Sequence, residues 1–184
     1  MPGPTRGSLT LLCGPMFAGK STELLRRIRA ARAAGTAVLV VKPARDTRYD
    51  AHALVTHAGD REPAVAVPSL EAVRVRAPVH GLVAIDELHF FAEEAVAPIA
   101  ALLAAGTSVV AAGCDIDHHG DPFAPFGTLL PGADEVQRIA GSCARCGAPS
   151  THSERLVPCR DRIIVGGIGD FVATCAACFR PTPR

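Results

Sequence analysis

Residues 14–21 read Gly14-Pro15-Met16-Phe17-Ala18-Gly19-Lys20-Ser21, which matches the phosphate-binding pattern G-x-x-x-x-G-K-[ST]. A loop whose backbone N–H groups surround phosphate oxygens needs glycines, because a Cβ atom would block the close approach and the unusual dihedral angles. The pattern places the lysine at the β- and γ-phosphates and the serine hydroxyl on Mg²⁺, at the positive end of the following helix. The loop therefore predicts a binding site for a nucleoside triphosphate.

The residues flanking this loop support the prediction. Residues 8–13 form an apolar run typical of a short buried strand, and Leu24, Leu25 and Ile28 follow at helical spacing within residues 21–34. A strand, a glycine loop and a helix in this order are what the motif requires. A chance match in a chain rich in glycine and alanine would lack that order.

Apolar runs continue to alternate with helical patterns along the chain. Residues 37–42 and 107–113 read as buried strands, and residues 93–105 predict a helix. Residues 63–78 carry a weaker pattern and stay unassigned. The alternation predicts an α/β fold of the P-loop NTPase type, with a mainly parallel sheet flanked by helices.

A pair of acids ends another apolar run. Residues 81–85 lead directly into Asp86 and Glu87. In a P-loop protein, an acid at the end of a strand completes the magnesium site, so Asp86 is a candidate Mg²⁺ ligand and Glu87 a candidate catalytic base. The alternative is that the two acids simply begin the next helix.

The C-terminal part contains two CxxC pairs, Cys143/Cys146 and Cys175/Cys178. Four thiolates suit a structural Zn²⁺, because they leave no open coordination position for catalysis. The 28 residues between the pairs exceed the usual spacing of a zinc ribbon, so a long loop or hairpin is expected there. Within this gap, residues 162–171 read as an apolar strand with a glycine-rich tip.

These patterns predict two domains, a nucleotide-binding domain over residues 1–140 and a small zinc-binding domain over residues 141–184. Seven cysteines are an odd number, which together with the CxxC pairs favours metal over disulfides. Cys13, Cys114 and Cys159 are interpreted as ordinary free thiols.

Composition narrows the class of protein. Hydrophobic residues make up 48% of the 184 residues, which is ample for a buried core, and the net charge is +1. A nearly neutral chain offers no basic field to a nucleic-acid backbone. The sequence has no apolar run near the roughly 18 residues of a membrane span and no apolar signal core at its start. We expect a soluble, cytoplasmic protein that binds neither nucleic acid nor membrane.

A polar segment with Asp115, Asp117, His118 and His119 follows the predicted strand at 107–113. These residue types could form a metal site. A loop at the carboxyl end of a parallel strand equally lines a substrate pocket, and we favour that interpretation.

From about Leu9 to Phe179, the chain resembles the thymidine kinases that combine a P-loop α/β domain with a zinc-binding lasso domain. The matching stretches occur in the family's order: residues 14–27, Asp46-Thr47-Arg48-Tyr49, Thr56-His57, Ile85-Asp86-Glu87, the two CxxC pairs and Gly166-Gly167. The resemblance implies that the protein transfers the γ-phosphate of ATP to the 5′-hydroxyl of a deoxynucleoside, with thymidine as the expected substrate. It also implies a homotetramer.

The resemblance also implies roles for individual residues. Glu87 would accept the hydroxyl proton, with Lys20 and Arg48 stabilising the transferred phosphoryl group. ATP and Mg²⁺ would be bound by Gly14, Pro15, Met16, Phe17, Ala18, Gly19, Lys20, Ser21, Asp46, Asp86 and His89. The nucleoside would contact Met16, Cys114, His118, Phe123, Ser153, Arg162, Ile163, Ile164, Val165, Gly166 and Phe171. The loop over residues 162–166 would cover the base through backbone hydrogen bonds.

The departures from the family pattern cluster in the nucleoside pocket. His118 replaces a phenylalanine that packs on the base, whereas Cys114 and Ser153 replace leucine and threonine. Phe171, also a predicted nucleoside contact, replaces tyrosine, and His89 at the ATP site replaces glutamine. Imidazole stacks on a base with less area than phenyl, and the two smaller residues remove volume, so we expect a relaxed or shifted base preference.

Two other functions compete with this one. A catalytically weak paralogue could bind nucleotide in a regulatory or interaction role, but Lys20, Asp86 and Glu87 are intact, and a protein released from catalysis needs no base. A P-loop ATPase acting on nucleic acid is disfavoured by the neutral charge.

Overall fold

The computed structural model describes residues 6–47, 52–56, 58–77, 81–158 and 161–183. A six-stranded sheet forms the centre of this part of the chain, in the order β5-β2-β6-β7-β1-β8, and all its neighbouring strands are parallel. The strands are β1 (Leu9–Cys13), β2 (Val38–Pro43), β5 (Val65–Val67), β6 (Leu82–Ile85), β7 (Ser108–Gly113) and β8 (Glu135–Arg138). The predicted α/β fold with a mainly parallel sheet is confirmed.

Helices connect the strands and cover the sheet. The described α-helices are α1 (Lys20–Ala33), α2 (Glu71–Arg74), α3 (Val96–Ala104) and α4 (Ala124–Leu129), and 3₁₀ turns span Leu88–Ala95 and Leu130–Gly132. The α-helix predicted over 93–105 begins later, at Val96, because residues 93–95 belong to the 3₁₀ turn, in which Ala92 has the non-helical angles φ 51° and ψ −153°. The unassigned residues 63–78 contain β5 and α2.

The sheet is buried on both faces, as its apolar strands predict. In β1, Leu11 packs on one face with Ile99 of α3, and Leu12 packs on the other with Leu24 and Ile28 of α1. This double burial fixes the carboxyl ends of β1, β6 and β7 side by side, and the loops that follow those ends carry the site.

Two small antiparallel hairpins stand apart from the central sheet. One pairs β3 (Ala53–Val55) with β4 (Arg61–Pro63), and it is tied to α1 by the ion pairs Arg29–Asp60 and Arg32–Glu62. The other pairs β9 (His152–Arg155) with β10 (Phe171–Thr174), between the two CxxC pairs. It supplies the expected hairpin there.

The strand predicted at the start of residues 162–171 is wrong. Residues 161–170 cross the surface in turns and irregular backbone, and only Phe171 belongs to a strand. The buried Arg155 instead donates to the carbonyls of Asp161 and Arg162, at 2.7 and 3.1 Å. A run of β-branched residues becomes a strand only when another edge pairs with it, and here the backbone is held by a side chain.

Candidate active site

The phosphate loop joins β1 to α1 in a geometry that glycine alone fits. Gly14 has φ 151°, and a Cβ there would lie 2.0 Å from the Ile139 carbonyl oxygen. Gly19 has φ 93° and stands immediately before α1. Both positions of the motif are therefore required by backbone sterics, as the sequence predicts.

Lys20 begins α1 and turns back over this loop. Its ammonium donates to the Pro15 carbonyl at 2.6 Å and lies 3.6 Å from the Cys114 thiol. The side chain is buried against the loop and lines a pocket. The cation therefore stands where the pattern places the anionic phosphates.

Ser21 and Asp86 are hydrogen-bonded neighbours in the lining of the pocket. The Ser21 hydroxyl is 3.2 Å from both carboxylate oxygens of Asp86. Burial raises the pKa of Asp86 above its ordinary value, and the neighbouring Glu87 charge raises it further. A buried carboxylate beside a hydroxyl is the kind of oxygen donor set that Mg²⁺ takes when it also binds phosphates, so the two residues fit that ion.

Glu87 follows Asp86 in a left-handed conformation, with φ 50°. Such a conformation is uncommon for a residue with a side chain and is found most often where function requires it. The carboxylate lines the same pocket as Lys20, and its Oε2 lies 3.6 Å from Nδ1 of His89. The bend at the end of β6 therefore aims the acid away from the sheet and into the site.

The phosphate pocket, as we call this cavity, also contains a residue that sequence analysis missed. Both lysines of the chain line it, and Lys42 lies buried 4.0 Å from Asp46. Composition carries a signal for Lys42, because Lys20 and Lys42 are the two lysines in a chain whose other basic residues are arginines. Arg48, the third predicted catalytic residue, lies outside the described residues.

A second cavity, the acceptor pocket, adjoins the first. Its lining includes nine of the residues predicted to contact the nucleoside, namely Met16, Cys114, His118, Phe123, Ser153, Arg162, Ile163, Ile164 and Phe171. Val165 and Gly166 do not line it, whereas Ile116 and Asp117 do. His89, expected at the ATP site, lines this pocket instead. Met16 lines both cavities, so the two meet at the phosphate loop.

Residues 161–171, the lasso, form one wall of the acceptor pocket and are held by Arg162. Its guanidinium donates to the buried Asp117 at 2.5 Å and to the Pro122 carbonyl at 2.9 Å, and it stacks over the Phe123 ring. Burial alone would raise the pKa of Asp117, but the hydrogen bond from Arg162 and backbone donors brings it below its ordinary value. The lasso is therefore fixed to the loop after β7 by a charged hydrogen bond.

Arg155 supports the same loop from beneath and was not predicted as a site residue. Besides its bonds to the lasso backbone, it lies 5.6 Å from the centre of the Phe171 ring. Gly166 passes so close to that ring that a Cβ would come within 2.7 Å of it. A glycine at this point allows the lasso to cross the aromatic wall of the pocket.

Ser153 connects the hairpin of β9 and β10 to the phosphate loop. Its hydroxyl accepts a hydrogen bond from the backbone N–H of Met16 at 2.9 Å. Because Met16 belongs to the phosphate loop and Ser153 to β9, this bond couples the two sides of the site.

His118 is a buried imidazole on the floor of the acceptor pocket. Neither ring nitrogen has a hydrogen-bond partner among the described residues. Burial lowers the pKa of His118 to about 4, and the nearby charge of Arg155 contributes. The ring is therefore neutral at physiological pH and presents an uncharged aromatic surface to the pocket.

The low pKa of His118 predicts how stability depends on pH. Below the unfolded value of about 6.5, the unfolded chain binds a proton that the folded chain does not, so stability falls as the pH drops towards 4. Between pH 7.5 and 5.5 this group should cost about 1 kcal/mol of unfolding free energy. Urea denaturation of wild type and His118→Phe at both pH values measures this loss of unfolding free energy. The loss should be smaller in the variant by about 1 kcal/mol. Equal losses in the two proteins would contradict the assignment.

The four cysteines of the CxxC pairs come together as predicted. The Sγ atoms of Cys143, Cys146, Cys175 and Cys178 lie within 4.8 Å of one another, and those of Cys146 and Cys175 are 3.6 Å apart. Tetrahedral Zn²⁺ with Zn–S bonds of about 2.3 Å places sulfurs about 3.8 Å apart, so this donor set fits zinc. The hairpin of β9 and β10 lies between the two CxxC pairs in sequence, so the cluster joins its two ends.

In the described part of the chain, the helices are too short or too polar to cross a membrane.

Comparison with known proteins gives consistent matches over most of the chain. A family model described as "Thymidine kinase" matches residues 7–179. The chain is 40% identical over 162 residues to a thymidine kinase of Deinococcus radiodurans, covering 82% of this chain and 76% of that protein.

Relatives from other bacteria match at similar levels. A thymidine kinase of Chloroflexus aurantiacus is 33% identical, with 95% of each chain covered. One from Coprothermobacter proteolyticus is 39% identical, over 92% of this chain and 88% of the relative. Residues 7–179, which match the family model, include the residues that line both pockets.

Proposed function

The chain belongs to the thymidine kinase family, and from this premise we propose that it transfers the γ-phosphate of ATP to the 5′-hydroxyl of a deoxynucleoside. The observation that carries the proposal is the position of Glu87 where two pockets meet. Glu87 lines the phosphate pocket, and its neighbour His89 lines the acceptor pocket. A hydroxyl entering from the acceptor side would meet the carboxylate beside the transferable phosphate.

On the donor side, the chain contributes positive charge and position. The phosphate loop binds the triphosphate through its N–H groups, while Lys20 and Lys42 face it from two sides. Mg²⁺, held by Ser21 and Asp86, would neutralise charge on the phosphates. With little covalent chemistry for the protein to perform, catalysis consists of aligning the two oxygens with the phosphorus and stabilising the spread negative charge.

On the acceptor side, the lasso and His118 enclose the base. The Asp117–Arg162 bond closes the lasso over the pocket, and the neutral imidazole supplies an aromatic surface. Glu87 accepts the hydroxyl proton as the oxygen attacks. Excluding water from this pocket favours transfer to the nucleoside over hydrolysis of ATP.

Further assignments, on the metal, the compartment, the oligomeric state and the partners, belong to this proposal. The four-cysteine cluster holds one structural Zn²⁺, the protein works in the cytoplasm as a homotetramer, and neither nucleic acid nor membrane is a partner. In the described residues, nothing favours the catalytically weak paralogue, since Lys20, Asp86 and Glu87 surround one pocket.

The base preference is where this chain should differ from its relatives. Cys114 and Ser153 leave space near Met16, where the family places the methyl group of thymine. A methyl group transferred from water to an apolar pocket contributes about 0.8 kcal/mol, or about fourfold. A tightly packed pocket discriminates more strongly, and a loose one does not. We expect thymidine and deoxyuridine to be phosphorylated with kcat/KM values within about fivefold of each other.

The test is an assay of the purified protein with ATP, Mg²⁺ and a panel of deoxynucleosides. The Cys114→Leu/Ser153→Thr double variant serves as the matched comparison, because it refills the space and should raise the preference for thymidine. Selectivity for thymidine above about a hundredfold in the wild type would contradict the relaxed preference. Failure to phosphorylate any deoxynucleoside would contradict the proposed function.

A further inference from the structure

Residues 179–182, the tail segment, cross the loop that carries His118. The backbone N–H of Thr182 donates to the His118 carbonyl at 3.1 Å. The Nδ1–H of His119 donates to the Thr182 carbonyl at 2.8 Å. Thr182 is therefore joined to the loop by two hydrogen bonds, both of which use its backbone.

The other end of the tail segment is anchored on β9. The Phe179 ring stacks on His152 with ring centroids 4.4 Å apart. The backbone N–H of Arg180 donates to the buried carboxylate of Glu154 at 3.0 Å. The segment thus links the hairpin of β9 and β10 to the loop after β7.

The tail segment contacts the backbone of His118 and the ring of its neighbour His119. Among the described residues its ring makes no hydrogen bond, although it is almost completely buried. Its own carbonyl is bonded to Thr182, and its ring packs on the ring of His119 at a centroid distance of 3.9 Å. His119 is in turn oriented by Thr182.

The sequence around Thr182 suits this task. Pro181 and Pro183 flank it, and a residue before proline is restricted to extended backbone, so little entropy is lost when the segment docks. The tail segment beyond Phe179 lies outside residues 7–179, which match the family model.

We propose that Thr182 is a positioning residue of the acceptor site, which holds His118 against the nucleoside base through backbone hydrogen bonds. The inference rests on the proposed nucleoside kinase function. Because both contacts use the backbone, the side chain of Thr182 is dispensable, whereas its N–H group is not.

Two variants at one position separate these contributions. Thr182→Pro keeps extended backbone and the carbonyl but removes the N–H donor, whereas Thr182→Ala keeps both backbone groups. Losing one hydrogen bond should raise the KM for the nucleoside about fivefold in Thr182→Pro. The KM for ATP and the zinc content should stay at wild-type values, and Thr182→Ala should match wild type throughout.

His119 provides an independent check of the same link. His119→Phe keeps an aromatic ring but loses the donor to Thr182, so the nucleoside KM should rise. An unchanged nucleoside KM in His119→Phe would overturn the link through His119.

The inference is overturned if Thr182→Pro and Thr182→Ala have the same nucleoside KM. It is also overturned if Thr182→Pro raises both KM values equally, since a general structural defect would do that. A wild-type protein inactive towards every deoxynucleoside would instead refute the proposed function on which the inference rests, so the two failures are distinguishable.

Discussion

Replacing Glu87 with glutamine should lower kcat by about 10²–10⁴-fold while leaving ATP binding near its wild-type strength. The substitution keeps the size and shape of the side chain but removes the group that accepts the hydroxyl proton, and a positioned general base contributes about that factor. Glutamine tolerates the left-handed backbone at this position no worse than glutamate. The measurement is initial-rate kinetics at saturating ATP and nucleoside, with ATP affinity determined by calorimetry.

The matched control for that experiment is Glu94→Gln. Glu94 is an exposed acid in the 3₁₀ turn that follows Glu87, and it lies away from the phosphate and acceptor pockets. It should keep wild-type kinetics. A Glu87→Gln rate within about tenfold of wild type, worth only about 1.4 kcal/mol of barrier, would remove Glu87 from the role of proton acceptor.

Cys143→Ser should cost the protein its zinc and, with it, most of its activity. Structural zinc sites contribute on the order of 10 kcal/mol of folding free energy in small domains, and losing one thiolate weakens them severely. Ser153, the lasso and Phe171 all lie between the two CxxC pairs, so the acceptor pocket loses a wall when this part unfolds. We expect less than about 1% of wild-type kcat/KM for the nucleoside, with ATP binding retained.

Elemental analysis and limited proteolysis measure the effect of Cys143→Ser. Wild type should contain about one Zn²⁺ per chain, and the variant should be cleaved within residues 141–183 while the remainder stays resistant. Cys159→Ser, which changes a cysteine outside the CxxC pairs, should keep both zinc and activity. A zinc-free wild type that is fully active would contradict the structural role of the metal.

The donor half of the site was predictable because its signals are local in the sequence. The phosphate loop and the Asp86-Glu87 pair each occupy a few consecutive residues after an apolar strand, and the parallel sheet brings those strand ends together. Apolar runs also predicted four of the strands, β1, β2, β6 and β7, but not β5 and β8. The backbone break at Ala92 was not predicted, because alanine gives no sign of non-helical dihedral angles.

The acceptor half could be predicted only through resemblance to a known family. Its walls come from positions as far apart as Met16 and Phe171, and no local pattern relates them. The strand expected within 162–171 failed because propensity says nothing about whether a partner edge exists. Arg155 and Thr182 escaped notice for a similar reason, since both act on the backbone of distant residues.

The most direct test of the proposed phosphoryl transfer is the stoichiometry of the reaction with wild-type protein. With thymidine, ATP and Mg²⁺, phosphorus NMR should show one thymidine 5′-monophosphate formed for each ADP, and no inorganic phosphate in excess of background. ADP and inorganic phosphate appearing together, without a phosphorylated nucleoside, would mean that the phosphate pocket serves hydrolysis and that the acceptor pocket has been misassigned.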